Sequence, residues 1–135
     1  MSKVLKSELF ANILSVDEQK FHDELKAALK SFNRKIVVLD DDPTGVQTVN
    51  GISVYTDWTE ESIAAGFAEE NSMFFILTNS RGFTAEETTK AHTEMGQRIA
   101  RVGRELGREY IVISRSDSTL RGHYPLETQL LKDVL

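Results

Sequence analysis

Three short, nearly unbroken apolar runs set the terms for how this chain can fold: Ile36–Leu39 (IVVL), Met73–Leu77 (MFFIL) and Tyr110–Ile113 (YIVI). A strand with one wet face alternates apolar and polar residues. Runs without alternation belong to strands covered on both faces, and such strands build parallel sheets with helices packed over them. Between the second and third runs the sequence predicts a helix. Thr84 and Glu87 form a capping box, Ala91, Met95, Ile99, Val102 and Leu106 point inward, and Gly107 stands at the C′ position. A weaker helix is expected over Glu60–Glu69, and GISVYT (Gly51–Thr56) alternates like a strand nearer an edge. Tyr124-Pro125 opens a last helix with Leu126, Leu130, Leu131 and Val134 at helical spacing. The fold class is α/β, a Rossmann-like three-layer domain with a mainly parallel sheet, here truncated.

Before the first run, Ser15 and Glu18 offer another capping box, and Phe21, Leu25, Ala28, Leu29 and Phe32 repeat at helical spacing, the mark of a packing helix. Residues 1–34 are therefore expected as an N-terminal helical extension and residues 35–135 as the domain proper. With 135 residues and 40% hydrophobic content, the chain can bury one core. The net charge of -5 argues against nucleic acid, which demands a lysine and arginine excess. Without cysteine there is no disulfide, thiolate metal site or thiol nucleophile. No apolar run approaches the ~18 residues of a membrane span, and MSKVLKSELFANIL lacks a signal-peptide plan, so a cytoplasmic protein is expected. The chain stops at Leu135 on an uncapped apolar helix face, which reads as a fragment. Its cut sheet edge and bare helix face predict self-association into a homo-oligomer.

A polar cluster follows each apolar run: DDDPTG (Asp40–Gly45), TNSRG (Thr78–Gly82) and SRSDSTLRGH (Ser114–His123). In a parallel sheet all C-terminal strand ends share one edge, where open α/β folds bind ligands, so the three clusters are expected to converge. Asp40, Asp41 and Asp42 supply carboxylates; Arg81, Arg115 and Arg121 supply guanidinium groups that offset their mutual repulsion. Ser80, Ser116, Ser118 and Thr119 add hydroxyls, while Gly45, Gly82 and Gly122 let backbone approach a ligand. Carboxylates accept hydrogen bonds from sugar-like hydroxyls, and arginine grips a carboxylate or phosphate, so the mixture suits a small polyhydroxylated acid. His22 and His92 fall within helix patterns, His123 reads as a polar residue at a helix start, and Trp58 reads as a packing residue.

Two family resemblances bear on DDDPTG. LDDDPT resembles the first motif of haloacid-dehalogenase-like phosphatases, with Asp40 as nucleophile and Asp42 as general acid, and FFILTNS is similar to their second motif, ending in Thr78. Such an enzyme would depend on Mg, and its later lysine is missing: none follows Ile113 until Lys132. More residues are matched by the four-carbon acid sugar kinases, a family formerly listed as a domain of unknown function. DDDPTGVQT, TNSRGFTAEE and SRSDSTLRGHYPLE resemble, in order, the motifs of its N-terminal substrate-binding domain over Lys35 to Leu135.

That resemblance implies a substrate-binding portion of an ATP-dependent kinase that phosphorylates a hydroxyl of a small sugar acid such as erythronate or threonate. ATP and Mg would be bound mainly by a separate C-terminal domain, so this portion alone is expected to be inactive, with no cofactor or metal site of its own. The family's substrate-binding positions map to Asp41, Asp42, Ser80, Arg81, Arg115, Ser116, Asp117, Ser118, Thr119, Arg121 and Gly122, with Asp41 or Asp42 as candidate base. Arg115 stands where the family usually has lysine, His123 where asparagine is frequent, and the third aspartate and Pro43 enlarge the acidic turn. A non-catalytic sugar-acid-binding module is the alternative outside enzymes.

Overall fold

The computed structural model describes residues 17–117 and 121–135, and the chain divides into two compact units, Met1–Phe32 and Asn33–Leu135. In the first, helix α1 (Glu18–Ser31) is capped by Asp17, whose carboxylate accepts the backbone N–H of Lys20 at 3.1 Å. The cap is therefore Asp17 and not Ser15, which lies outside the described residues: helical backbone starts at Glu18, so Glu18 is the first helical residue and not the third. The expected apolar stripe is present, yet Phe21, Leu25 and Leu29 are exposed and no residue of α1 is buried.

The second unit holds β1 (Lys35–Asp40), β2 (Val54–Tyr55), β3 (Met73–Leu77) and β4 (Tyr110–Arg115) in the order β2-β3-β1-β4, with every neighbouring pair parallel. Helix α2 (Glu60–Ala68) links β2 to β3, α3 (Ala85–Glu105) links β3 to β4, and α4 (Leu126–Val134) follows β4. Both helical crossovers advance in the same direction along the sheet, so the right-handed rule places α2 and α3 over one face. There α3 packs against both α2 and α4. Val37, Leu39, Phe74 and Ile76 from the sheet meet Ile63, Phe67, Ala91, Met95, Ile99, Val102 and Leu131 from the helices. Trp58 packs against this core as expected. On the opposite face Val38 and Phe75 are buried as well, which explains the unbroken apolar runs of the two inner strands. This is an α/β fold, an all-parallel sheet flanked by helices, consistent with the Rossmann-like three-layer class.

Two readings need correction. Strand β4 is not covered on both faces: it is one of the two edge strands, paired among the described residues with β1 alone, and Ile111 and Ile113 are 37% and 43% exposed. Leu106 does not point inward; it is the C-cap residue of α3, where the chain turns away through Gly107 at φ +61°, and it is exposed.

The start of α3 is a true capping box. Thr84 Oγ1 accepts the Glu87 N–H at 3.2 Å, and the Glu87 carboxylate accepts the Thr84 N–H at 2.7 Å. Those bonds, the backbone N–H of Thr84 foremost, hold the Glu87 carboxyl below its usual range. A depressed carboxyl adds stability above its unfolded pKa and loses it as pH falls through the folded one. Thr84→Ala is accordingly expected to cost about 1 kcal/mol at neutral pH. The cost should shrink in acid, as checked by urea unfolding at both pH values.

Candidate functional site

The register of the sheet decides where the polar clusters fall. Asp40 on β1 pairs with Leu77 on β3 and with Arg115 on β4, so the three strands end level with one another. The ladder runs one step further, with Thr78 N–H donating to the Asp40 carbonyl at 2.8 Å and Asp41 N–H to the Arg115 carbonyl at 3.2 Å. All three clusters therefore leave the sheet at one edge.

The acidic cluster is a tight turn folded onto its own first carboxylate. Asp40 Oδ1 accepts the Asp42 N–H at 3.2 Å, and Asp42 Oδ1 accepts the Thr44 N–H at 2.9 Å, closing an Asx turn. Gly45 then lies against Asp40: a Cβ on Gly45 would stand 1.9 Å from Asp40 Oδ2, so the turn needs glycine there. Because β1 is an inner strand, its end is buried, and Asp40, Asp41 and Asp42 are 1%, 1% and 6% exposed.

Three buried carboxylates in a row are held by the protein's own donors. Arg115 Nη1 sits between two of them, 3.0 Å from Asp40 Oδ1 and 3.2 Å from Asp41 Oδ1. Asp41 Oδ2 also accepts the Asp117 N–H at 2.6 Å and makes a long contact with Ser116 Oγ at 3.5 Å. Asp42 Oδ2 is bound by Arg81, which lies 3.5 Å from Asp117 Oδ2 as well. Arg121 pairs with Asp117 at 2.9 Å and not with the aspartate triad, so Arg81 and Arg115, with backbone N–H groups, offset the repulsion there.

Environment splits the acidic neighbours. Burial pushes the Asp40 carboxyl up, against the Asp42 N–H and Arg115. The Thr44 N–H, chiefly, holds the Asp42 carboxyl below its usual range, helped by the Thr44 hydroxyl, Arg81 and Arg115.

The arginines are what this arrangement presents outward. The side chains of Arg81, Arg115 and Arg121 keep 34%, 37% and 64% of their surface exposed, whereas those of the Asp40–Asp42 carboxylates keep 9% or less. Gly122 is closely packed, since a Cβ there would stand 2.5 Å from Ser116 Oγ and 2.6 Å from the Asp117 carbonyl. His123 Nε2 lies 3.0 Å from the Phe83 carbonyl, which makes it a donor and ties the third cluster to the second. Ser118 and Thr119 lie outside the described residues.

Ser80 is placed differently from its neighbours. It is fully buried, its Oγ 2.9 Å from Thr78 Oγ1 and 3.2 Å from Glu127 Oε1 on α4. Behind Glu127 stands His92 of α3, with Nε2 3.7 Å from Oε1 and both side chains 2% exposed. Sequence reasoning missed Glu127 altogether and left His92 as an ordinary helix residue. A signal existed for His92, because it falls with Thr88, Met95 and Ile99 on the inward stripe of α3.

Fold and strand-end geometry together give an α/β domain with an edge where partly exposed arginines are seated on buried carboxylates. A family model for a sugar-binding N-terminal domain matches residues 36–135, and the chain belongs to that family, the N-terminal domain of the four-carbon acid sugar kinases. No curated protein and no solved structure matches the chain. Among the described residues, no helix is long and apolar enough to cross a membrane.

Proposed function

We propose that this chain binds the acceptor of an ATP-dependent kinase, a small four-carbon sugar acid such as erythronate or threonate, and that Arg81, Arg115 and Arg121 read its carboxylate. The observation that carries the reading is the division of labour at the strand ends: carboxylates buried, guanidinium groups half exposed above them. A guanidinium anchored on one side cannot relax away from a ligand on the other, and such preorganisation favours carboxylate recognition. Ser116, Asp117 and Gly122 supply the hydroxyl contacts in this reading; Ser118 and Thr119, which the family resemblance adds, lie outside the described residues.

The acidic turn is assigned a supporting role. A carboxyl held low by backbone N–H groups and arginine is a weak proton acceptor, which disfavours Asp42 as general base. The same geometry disfavours a phosphatase. Asp40 as nucleophile would be buried, bound by Arg115 and pressed against Gly45. The acidic turn is a poor fit for magnesium as well: Asp40 Oδ1, both Asp41 oxygens and Asp42 Oδ2 are taken by Arg115, Arg81 and a backbone N–H, and Asp40 Oδ2, which has no hydrogen-bond partner among the described residues, is buried against Gly45. In this reading ATP and magnesium belong to a C-terminal domain, and phosphoryl transfer is assayed on a protein carrying both domains.

Arg121 offers a clean test, because its own side chain is 64% exposed and Asp117 Oδ2 keeps Arg81 at 3.5 Å, so losing this pairing costs little stability. Arg121→Ala is expected to leave the unfolding midpoint nearly unchanged and to weaken sugar-acid binding about 10- to 100-fold, the worth of one charge-assisted hydrogen bond. Calorimetric titration with a panel of four-carbon sugar acids reads it; unchanged affinity would remove Arg121 from the site.

A further inference from the structure

Beneath the strand edge runs a buried chain of polar groups that joins four elements. His92 Nδ1 lies 3.1 Å from the Thr88 carbonyl, an acceptor, so Nδ1 carries a proton and the state of Nε2 is settled by what faces it. That neighbour is Glu127 Oε1, 3.7 Å away in a pocket closed to solvent. An unprotonated Nε2 would set a lone pair against a carboxylate, so the pair is at ease only when one proton lies between them. Ser80 Oγ lies within reach of the same Oε1 at 3.2 Å and of Thr78 Oγ1 at 2.9 Å. Thr78 Oγ1 in turn donates to the Asp40 carbonyl at 3.1 Å and accepts the Ser80 N–H at 3.3 Å. Ser80 has one hydroxyl proton and two acceptors. With the shared proton in place, Oε1 carries less negative charge and is the weaker acceptor, so the balance of the Ser80 proton moves toward Thr78. Without it, Ser80 becomes the donor to Oε1.

We propose that Glu127 and His92 are positioning residues for the candidate site, a buried pair that shares one proton and acts through Ser80 on the turn that carries Arg81. Ser80 opens the 3-10 turn Ser80–Gly82, and Arg81 bridges Asp42 and Asp117, so a shift in the serine's hydrogen bonding reaches the guanidinium within one residue. Around His92 the charged and titratable groups are Glu127 from α4, His123 from the segment before α4, and Asp41 from the end of β1. Glu127 Oε2 is buried without a hydrogen-bond partner among the described residues, so Ser80 and His92 at Oε1 are its carboxyl's only partners there. The consequence for affinity rests on the sugar-acid reading above; the coupling itself does not.

Burial, against the pull of Glu127, holds the His92 imidazole below the usual histidine range, so a pH titration by ¹⁵N–¹H correlation spectra and imidazole ring signals, carried from about pH 8 down to the acid limit of the fold, tests the coupling without any ligand. The amide signals of Thr78, Ser80 and Arg81 are expected to move with the midpoint of the His92 ring. Glu127→Gln should abolish that movement, and Ser80→Ala should leave His92 titrating while Arg81 stays still. His123→Asn should leave the coupling intact. A His92 ring that titrates while the Arg81 amide is silent in the wild type overturns the proposal. So does a ring that does not titrate, or an Arg81 response that survives Ser80→Ala. If Glu127→Gln fails to fold, the wild-type and Ser80→Ala titrations still decide. Failure of the sugar-acid panel to bind would sink the functional reading and leave this result standing.

Discussion

Replacing Arg115 with alanine is expected to lower the unfolding free energy by about 2–3 kcal/mol, and replacing it with lysine by well under half of that. Removing one partner from a buried ion pair typically costs about 3–5 kcal/mol, because the other charge stays buried without compensation. The Arg115 side chain is 37% exposed, so water softens the loss to the bottom of that range or just below it. Two carboxylates are stranded at once, since the same Nη1 serves Asp40 and Asp41. That geometry also predicts the lysine result. A forked, bidentate grip would need arginine, but one nitrogen between two oxygens is work an ammonium can do. Lysine at this position is therefore expected to keep most of the hold on Asp40 and Asp41. Urea unfolding of the three proteins checks it; equal losses for alanine and lysine would show that the guanidinium plane, and not its charge, holds the turn.

Gly45→Ala should be nearly as damaging, at about 3 kcal/mol, the upper end for overpacking a filled interior. The added methyl would have to displace Asp40, whose carboxylate is buried and tethered by Arg115 and the Asp42 N–H, so there is no flexible end to swing aside. Sugar-acid affinity should fall with it, because moving Asp40 moves the turn that seats Arg81. Gly82→Ala is the natural control: nothing lies within 4 Å of a Cβ there, and its stability should match the wild type. If Gly45→Ala unfolds at the wild-type urea concentration, the packing of the acidic turn described above is wrong.

The sheet was readable because its signal is physical and local. Unbroken runs at Ile36–Leu39 and Met73–Leu77 became the inner strands, with Val37, Val38, Phe74 and Phe75 buried on opposite faces. The same signal overreached at Tyr110–Ile113, since a run without alternation does not reveal whether a strand has one neighbour or two. In α1, Phe21, Leu25 and Leu29 show the same limit: helical spacing says which face wants cover, not what covers it. Convergence of the three clusters followed from parallel topology alone, and the level ends of Asp40, Leu77 and Arg115 show why. What the sequence hid was direction. Aspartates at a strand end read as ligand contacts, yet the end of an inner strand is itself buried, so the acids turned inward and the arginines outward. Glu127 gave no warning either, because an acid in the first turn of a helix ordinarily serves the helix dipole. Its contact with Ser80, 47 positions earlier, exists only in three dimensions.

In the proposed function, arginines at the strand ends read an acid. Calorimetric titration of the chain with erythronate, and in parallel with erythritol, which keeps the four-carbon hydroxylated chain but lacks the carboxylate, tests it most directly. Heat and saturation are expected with the acid, and affinity for the polyol lower by at least about 10-fold, the loss of one charge-assisted hydrogen bond. Equal binding of the two would contradict it, leaving the hydroxyl contacts as the whole of recognition and the arginines as supports for the buried aspartates.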